Sequence, residues 1–259
     1  MTYCVATHLN EGLVFLSDSR TNAGMDQVST FRKMTVFERT GDRMIVLMSA
    51  GNLAISQAVR SRMNELGEGE SIWSAQSMDQ AASIVGDAVR AVYDRDHKAL
   101  SEFGIDFNCS FILGGQIRGE PCRLFQIYAA GNFIESQSEC PYFQIGESKY
   151  GKPILDRVVR RGTPLDEAVK CVLISMDSTL KSNISVGMPL DLLVYKTDDL
   201  AVSRFVSIND DDAYFAHIRS RWGALLREAF HELPEPDWSQ MDPERSRPIF
   251  DRHIRSMDQ

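Results

Sequence analysis

Residues 2–20, TYCVATHLNEGLVFLSDSR, contain two short apolar runs on either side of a polar turn. β-branched and aromatic residues are common in both runs, and Asn10-Glu11-Gly12 is typical of a tight turn. The stretch therefore predicts a β-hairpin with strands at residues 2–9 and 13–18. Because the first residues of most chains are poorly ordered, a strand that starts at residue 2 indicates an N-terminus held in the core.

The order of the remaining elements predicts the fold class. Alternation and helical periodicity give further strands at 32–38, 43–49, 105–113, 122–129, 132–135, 142–145, 190–195 and 201–208, and helices at 54–63, 78–92, 154–159, from 163, and after 210. Strands follow strands, which favours antiparallel sheets in an α+β protein. Several strands are apolar on both faces. We therefore expect a four-layer αββα sandwich, with two antiparallel sheets face to face and helices outside each.

The 259 residues are expected to divide at residue 232. Residues 1–232 have the length and apolar content of one domain. Residues 233–259 carry four prolines and many charges, which predicts a C-terminal extension.

Composition argues against several classes of partner. The chain has 36 acidic and 28 basic residues and no basic cluster, so nucleic acid is not an expected partner. Its apolar runs are shorter than the roughly 20 residues that a spanning helix needs, so no membrane is expected either. Polar residues occupy the place of a signal-peptide core, and the predicted location is cytoplasmic. The five cysteines and five histidines are scattered, so we expect no metal and no other cofactor.

Four residues in a fixed order are candidates for a site. Thr2 opens the first strand, Asp18 ends the second, Lys33 begins the third, and Gly51 lies at a strand-to-helix junction. Each has an ordinary structural explanation, because threonine suits strands and charges are common at strand ends. Their order along the chain is what points to chemistry.

Five stretches carry a resemblance to a known family. They are TYCVATHLNEGLVFLSDSRTNAG, FRKM, MSAGNLAISQAV, QIGESKYGKPIL and ISMDSTLKSNISVGMPLDLLVY, which together span residues 2 to about 208. The chain resembles the proteasome-type N-terminal-nucleophile (Ntn) hydrolases, in which proteasome β-subunits and HslV begin their mature chains with threonine. Within that family it is most similar to the bacterial ancestral β-subunit group, Anbu.

The resemblance implies that Thr2 is the nucleophile once Met1 is removed. An α-amine with a reference pKa of about 7.7 to 8.0 can act as a base near neutral pH. A nearby Lys33 would lower the pKa of that amine, and Asp18 would pair with Lys33. The Gly51 N–H would bind the oxyanion of the tetrahedral intermediate.

The resemblance also assigns secondary roles. Asp177 would hydrogen-bond near the amine, with Ser182 as its loop partner and among the substrate-binding residues. Arg20, Thr21 and Ser148 would also contact substrate. Here Glu147-Ser148 stands where the family has Ser-Gly, so which of these two residues takes the serine's role stays open.

The expected function is therefore that of a threonine-type peptidase or amidohydrolase subunit of a proteasome-like assembly. It would self-associate into a ring or open spiral and act on a peptide or amide. Any ATP-dependent partner would be a separate chain, because this sequence has no GxxxxGK[ST] motif. Two alternatives remain open: an inactive scaffold subunit, suggested by the altered turn at residues 145–148, and an amidase for a small non-protein amide.

Overall fold

The computed structural model describes residues 2–22, 28–65 and 71–237, which form twelve strands and five helices. The strands are β1 (Tyr3–His8), β2 (Gly12–Asp18), β3 (Arg20–Asn22), β4 (Val28–Thr30), β5 (Met34–Arg39), β6 (Arg43–Gly51), β7 (Cys109–Ile117), β8 (Arg123–Ile127), β9 (Phe133–Glu135), β10 (Tyr142–Gly146), β11 (Leu190–Lys196) and β12 (Arg204–Ile208). The helices are α1 (Leu53–Glu65), α2 (Met78–Glu102), α3 (Lys152–Val158), α4 (Leu165–Ser182) and α5 (Ala213–Glu232).

The opening hairpin lies inside a five-stranded antiparallel sheet with the order β10-β1-β2-β11-β12. All residues of β1 and β2 are buried, because both strands have neighbours on each edge and packed layers on each face. The second sheet has the order β5-β6-β7-β8-β9 and is also antiparallel. Strands β3 and β4 form a separate two-stranded hairpin.

Three apolar clusters separate the layers. One fills the space between the sheets and includes Phe15, Met48 and Leu193. A second packs α1 and α2 on the outer face of the β5–β9 sheet. A third packs α3 and α4 on the outer face of the other sheet. The predicted four-layer αββα sandwich is thus confirmed, since both sheets are covered on both faces.

Several boundaries differ from the sequence prediction. The polar stretch after Asp18 was expected to be a loop, but it contains β3 and β4. Strand β7 begins at Cys109 rather than at residue 105, and α2 continues to Glu102 rather than ending near 92. The last turns of α2 are polar and lack the apolar periodicity that predicts a helix, so the pattern ended too early.

The chain divides into two compact units, residues 1–219 and residues 220–259. The described part of the second unit is residues 220–232 of α5 and the residues up to 237, with an ion pair between Arg221 and Glu228. Most of the predicted extension, residues 238–259, lies outside the described residues, and a domain boundary at 232 stays a prediction. None of the helices within the described ranges is both long enough and apolar enough to cross a membrane.

The pH dependence of stability is expected to include a contribution from His8, at the end of β1. Burial and the nearby Arg161 lower the pKa of His8 from 6.5 to about 4. The unfolded chain therefore binds a proton that the folded chain does not, between these two pH values. Neutral His8 therefore contributes its full stabilisation above pH 6.5. The free energy of unfolding then decreases as the pH falls from 6.5 towards 4, by up to roughly 3 kcal/mol.

Urea unfolding of the protein and of His8→Gln between pH 4 and 7 measures this contribution. The variant should lose less stability over this interval than the unmodified chain. An equal loss of stability in the two proteins would contradict the contribution of His8.

Candidate active site

A cavity of about 730 Å³ lies between three parts of the chain. They are the start of β1, strand β3, and the junction between β6 and α1. Five residues singled out from the sequence line it, namely Thr2, Arg20, Thr21, Lys33 and Gly51. The complete described lining is Thr2, Arg20, Thr21, Arg32, Lys33, Ser49, Ala50, Gly51, Asn52, Leu53, Ser56, Asn108, Ser110 and Gly146. The cavity therefore brings together strand ends that are distant in sequence.

A buried ion pair lies behind this cavity. Lys33 Nζ donates to Asp18 Oδ1 over 2.6 Å, and the two side chains are 6% and 0% exposed. Asp18 also accepts hydrogen bonds from the backbone N–H groups of Tyr3, at 2.9 Å, and Gly187, at 3.3 Å. Burial raises the pKa of the Asp18 carboxyl, and the Lys33 ammonium opposes that shift. The acid of the pair is therefore fixed by two backbone donors, one from β1 and one from the segment before β11.

The orientation of the Lys33 ammonium is also fixed. Its second hydrogen bond goes to the backbone carbonyl of Arg20, at 2.7 Å. An ammonium has three donors, and within the described ranges no hydrogen bond engages the third. Since Lys33 lines the cavity, this third donor can serve a group inside it.

The backbone around Thr2 is held on both sides. The Glu147 N–H donates to the Thr2 carbonyl over 2.6 Å, and the next N–H along the chain, that of Tyr3, donates to Asp18. Thus one carboxylate oxygen of Asp18 binds both the Tyr3 N–H and the Lys33 ammonium. This shared oxygen places the cation beside the backbone of Thr2.

The Tyr3 side chain anchors the same segment from the outer layer. Its hydroxyl is fully buried, lies 2.6 Å from Ser175 Oγ on α4, and accepts from the Gln144 amide at 2.7 Å. Burial raises the pKa of Tyr3, so the hydroxyl stays protonated. The start of β1 is therefore tied to a helix as well as to its neighbouring strands.

The turn at Gly51 requires glycine. Its φ is +104°, and a Cβ atom there would lie 2.4 Å from the Asn108 carbonyl oxygen. The next residue, Asn52, caps α1, because its Oδ1 accepts from the Ala54 N–H at 2.9 Å. The backbone of Gly51 can therefore approach a ligand that lies in the cavity.

Sequence reasoning missed the part played by residues 183–187. The Gly187 N–H reaches Asp18, Arg20 Nη1 donates to the Ile184 carbonyl at 2.9 Å, and the Asn183 amide donates to Glu147 Oε2 at 3.0 Å. This loop thus closes around the acid of the ion pair. Two of these contacts use backbone atoms, which no residue-type pattern can reveal.

Besides Asp18, which lies behind the cavity, three residues expected at the site lie outside its described lining. Asp177 is buried on α4 and pairs with Arg219, at 2.9 Å, and with Lys181, at 3.5 Å. Ser182 is exposed at the end of α4, and Ser148 is half-buried beside Glu147. Among the described residues no hydrogen bond or ion pair joins any of the three to Thr2, and their roles stay predictions.

Glu147 and Ser148 are the two candidates for the role of the family's serine. Hydrogen bonds from Lys149 and Asn183 hold the Glu147 carboxylate in place. Its two oxygens accept from the Lys149 N–H, at 3.0 Å, and from the Asn183 amide.

Across residues 2–22, 28–65 and 71–237, no group of three or more His, Cys, Asp or Glu side chains could hold a metal ion.

Comparison with known proteins decides the family. A Gly-1 mutant of Anbu from Hyphomicrobium sp. strain MC1 is 50% identical, covers 92% of this chain and 100% of its own, and superposes with a TM-score of 0.86. The chain belongs to the Anbu family. Anbu from Yersinia bercovieri is also 50% identical, with 91% of this chain and 99% of that chain covered and a TM-score of 0.85.

A third Anbu structure bears on assembly. It is the helical assembly of the Anbu complex from Pseudomonas aeruginosa, 48% identical, with 92% of this chain and 99% of that chain covered and a TM-score of 0.87. No match was found among protein-family models or among curated proteins. The solved Anbu structures confirm the resemblance to proteasome-type subunits that the opening hairpin and the lysine strand had indicated.

Proposed function

We propose that this Anbu chain is a threonine-type amidohydrolase that cleaves peptide or amide bonds, with Thr2 as the nucleophile after removal of Met1. One observation carries the proposal: Thr2 and Lys33 line the same cavity, and a buried carboxylate holds the Lys33 ammonium beside the backbone of Thr2. A cation in that position has a chemical use, because it lowers the pKa of a nearby amine.

The first step is acyl transfer. The Thr2 hydroxyl attacks the substrate carbonyl carbon, and its proton passes to the free α-amine of Thr2, directly or through one water. The Gly51 N–H stabilises the negative charge that develops on the carbonyl oxygen. The leaving nitrogen then takes the proton from the amine, the carbon–nitrogen bond breaks, and an ester on Thr2 remains.

The second step is hydrolysis of that ester. The α-amine takes a proton from a water as the water attacks the ester carbon, and it returns the proton to the Thr2 oxygen as the ester bond breaks. The products are a carboxylic acid and free Thr2. The Glu147 carboxylate is engaged by Lys149 and Asn183, which supports assigning the proton transfers to the amine rather than to this acid.

We further propose that the chain self-associates into an open helical assembly. The support is its likeness to the Pseudomonas aeruginosa chain whose structure is described as a helical assembly. The cytoplasmic location and a separate ATP-dependent partner stay predictions.

Intact-mass measurement tests the nucleophile. We expect the purified protein to lack Met1 and to gain one adduct per chain from a peptide epoxyketone, a reagent that captures both the hydroxyl and the amine of an N-terminal threonine. Thr2→Ala should give no adduct, while Thr7→Ala, a change at a buried threonine of β1, should still give one.

A mass that retains Met1, together with no adduct, would contradict the proposal and favour the scaffold subunit. If the adduct forms, cleavage of peptides compared with cleavage of small isolated amides separates a peptidase from an amidase of small metabolites.

A further inference from the structure

The charged side chains that line the cavity beside Thr2 within the described ranges are all cationic. Its described lining contains three cationic side chains, Arg20, Arg32 and Lys33, and no acidic one. This is unusual for a chain whose net charge is −8. The charge of the lining side chains is thus opposite in sign to the net charge of the protein.

The counter-charges lie behind the cations rather than in the cavity. Asp18, the partner of Lys33, is 0% exposed. Asp191, the partner of Arg32 at 2.6 Å, has a side chain that is 4% exposed, whereas the Arg32 side chain is 63% exposed. A molecule that enters the cavity therefore meets the cations before the carboxylates that balance them.

Arg32 is the most exposed of the three cations, since Arg20 is half-buried and Lys33 is buried. A guanidinium has five N–H donors in a planar fork, and the ion pair with Asp191 uses Nη1. Lys33 has two of its three donors committed, and Arg20 binds a backbone carbonyl of the 183–187 loop. A planar fork is suited to a second carboxylate, because it can bind both oxygens at once.

We propose that the substrate carries an acidic side chain next to the bond that is cleaved, and that Arg32 binds this side chain in the cavity. The inference rests on the proposed function, since it names the substrate class of the same site. A basic side chain would meet three like charges there. A large apolar one would desolvate the polar groups of Ser49, Asn52 and Asn108 without replacing their hydrogen bonds.

Four peptide epoxyketones that differ only in the residue next to the electrophile test the inference: acetyl-Ala-Ala-X with glutamate, glutamine, leucine or arginine as X. The readout is the rate of adduct formation with the full-length protein, followed by intact mass. We expect glutamate to react about tenfold faster than its isostere glutamine, as one charge-assisted contact implies, and arginine to react slowest. The glutamate advantage should shrink in 1 M NaCl, where the screening length falls to about 3 Å.

A variant series assigns the selectivity to Arg32. Arg32→Gln should bring the glutamate-to-glutamine rate ratio close to one. Because this change leaves Asp191 buried without its cation, the double variant Arg32→Gln/Asp191→Asn is measured beside it. Arg39→Gln is the matched control, since Arg39 is 58% exposed, pairs with Asp42 and lies outside the described lining of this cavity.

The outcomes separate this inference from the function on which it rests. Adducts that form at similar rates with all four reagents, or fastest with leucine or arginine, would overturn the acidic preference and leave the nucleophile established. A preference for glutamate that survives both Arg32 variants would overturn the role of Arg32. If none of the reagents forms an adduct, the proposed function fails and this inference fails with it.

Discussion

Lys33→Met is expected to unfold the protein more easily and to suppress the reactivity of Thr2. The side chain it removes is the only cation within hydrogen-bond distance of Asp18 among the described residues, and Asp18 is fully buried. A buried carboxylate left without its cation typically destabilises a protein by about 3–5 kcal/mol. We expect the rate of adduct formation at Thr2 to fall about 100-fold or more, because the amine loses the charge that favours its neutral form.

The stability loss should depend on pH in a defined direction. Burial already raises the pKa of Asp18, and removal of Lys33 leaves only the backbone N–H groups of Tyr3 and Gly187 to oppose that shift. The folded variant then binds a proton more tightly than the unfolded chain, so its stability falls as the pH rises above the ordinary aspartate value of about 3.9. Urea unfolding should therefore show a larger deficit at pH 8 than at pH 5.

A second variant separates stability from chemistry. Asp18→Asn/Lys33→Met removes the unpaired charge and should recover part of the lost stability, while adduct formation stays slow. Recovery of the reaction in the double variant would show that Lys33 acts only by holding the fold.

Gly146→Ala is expected to have the second large effect, through geometry rather than charge. Gly146 ends β10 opposite the first residues of β1, with φ at +83°, and a Cβ atom there would lie 2.0 Å from the Thr2 carbonyl oxygen. The two strands must move apart, which strains the Glu147–Thr2 hydrogen bond. We expect a loss of about 3 kcal/mol or more in stability from combined backbone strain and overpacking. A displacement of Thr2 by about 1 Å would slow adduct formation about 100-fold.

The chain offers a matched control for this change. Gly119 has the same φ of +83° in an exposed turn, and a Cβ atom there would have no neighbour within 4 Å. Gly119→Ala should therefore show only the cost of the left-handed backbone, about 1–2 kcal/mol, with unchanged adduct formation. If the two variants behave alike in thermal unfolding and in adduct rate, the contact with Thr2 has no importance.

The sequence was sufficient to predict the sandwich because its central strands are apolar on both faces. A strand such as β6, buried along nearly its whole length, needs packing on each side, and two sheets with outer helices provide it. The β3–β4 hairpin escaped prediction for the opposite reason. It is short and polar, so its pairing depends on its position at the edge of the site rather than on apolar periodicity.

The Asp18–Lys33 pair was predicted, and the backbone groups around Asp18 were not. Asp18 and Lys33 are ionisable residues at strand ends, and the resemblance to the family implied that they pair, as they do in the structure. The donors that complete the acid's environment are peptide N–H groups of Tyr3 and Gly187, which every residue type except proline possesses. Asp177 had the right residue type, yet its described partners are Arg219 and Lys181.

The loop that reaches Asp18 from residue 187 also sets the order in which the site can be completed. Asp18 is made early in synthesis, but one of its backbone donors is 169 positions later in the chain. Contacts between such distant residues form slowly, because the loss of loop-closure entropy comes before the contact stabilises the chain. A nascent chain that ends before residue 187 therefore lacks part of the environment of its lysine, and the complete arrangement around the N-terminus belongs only to the finished fold.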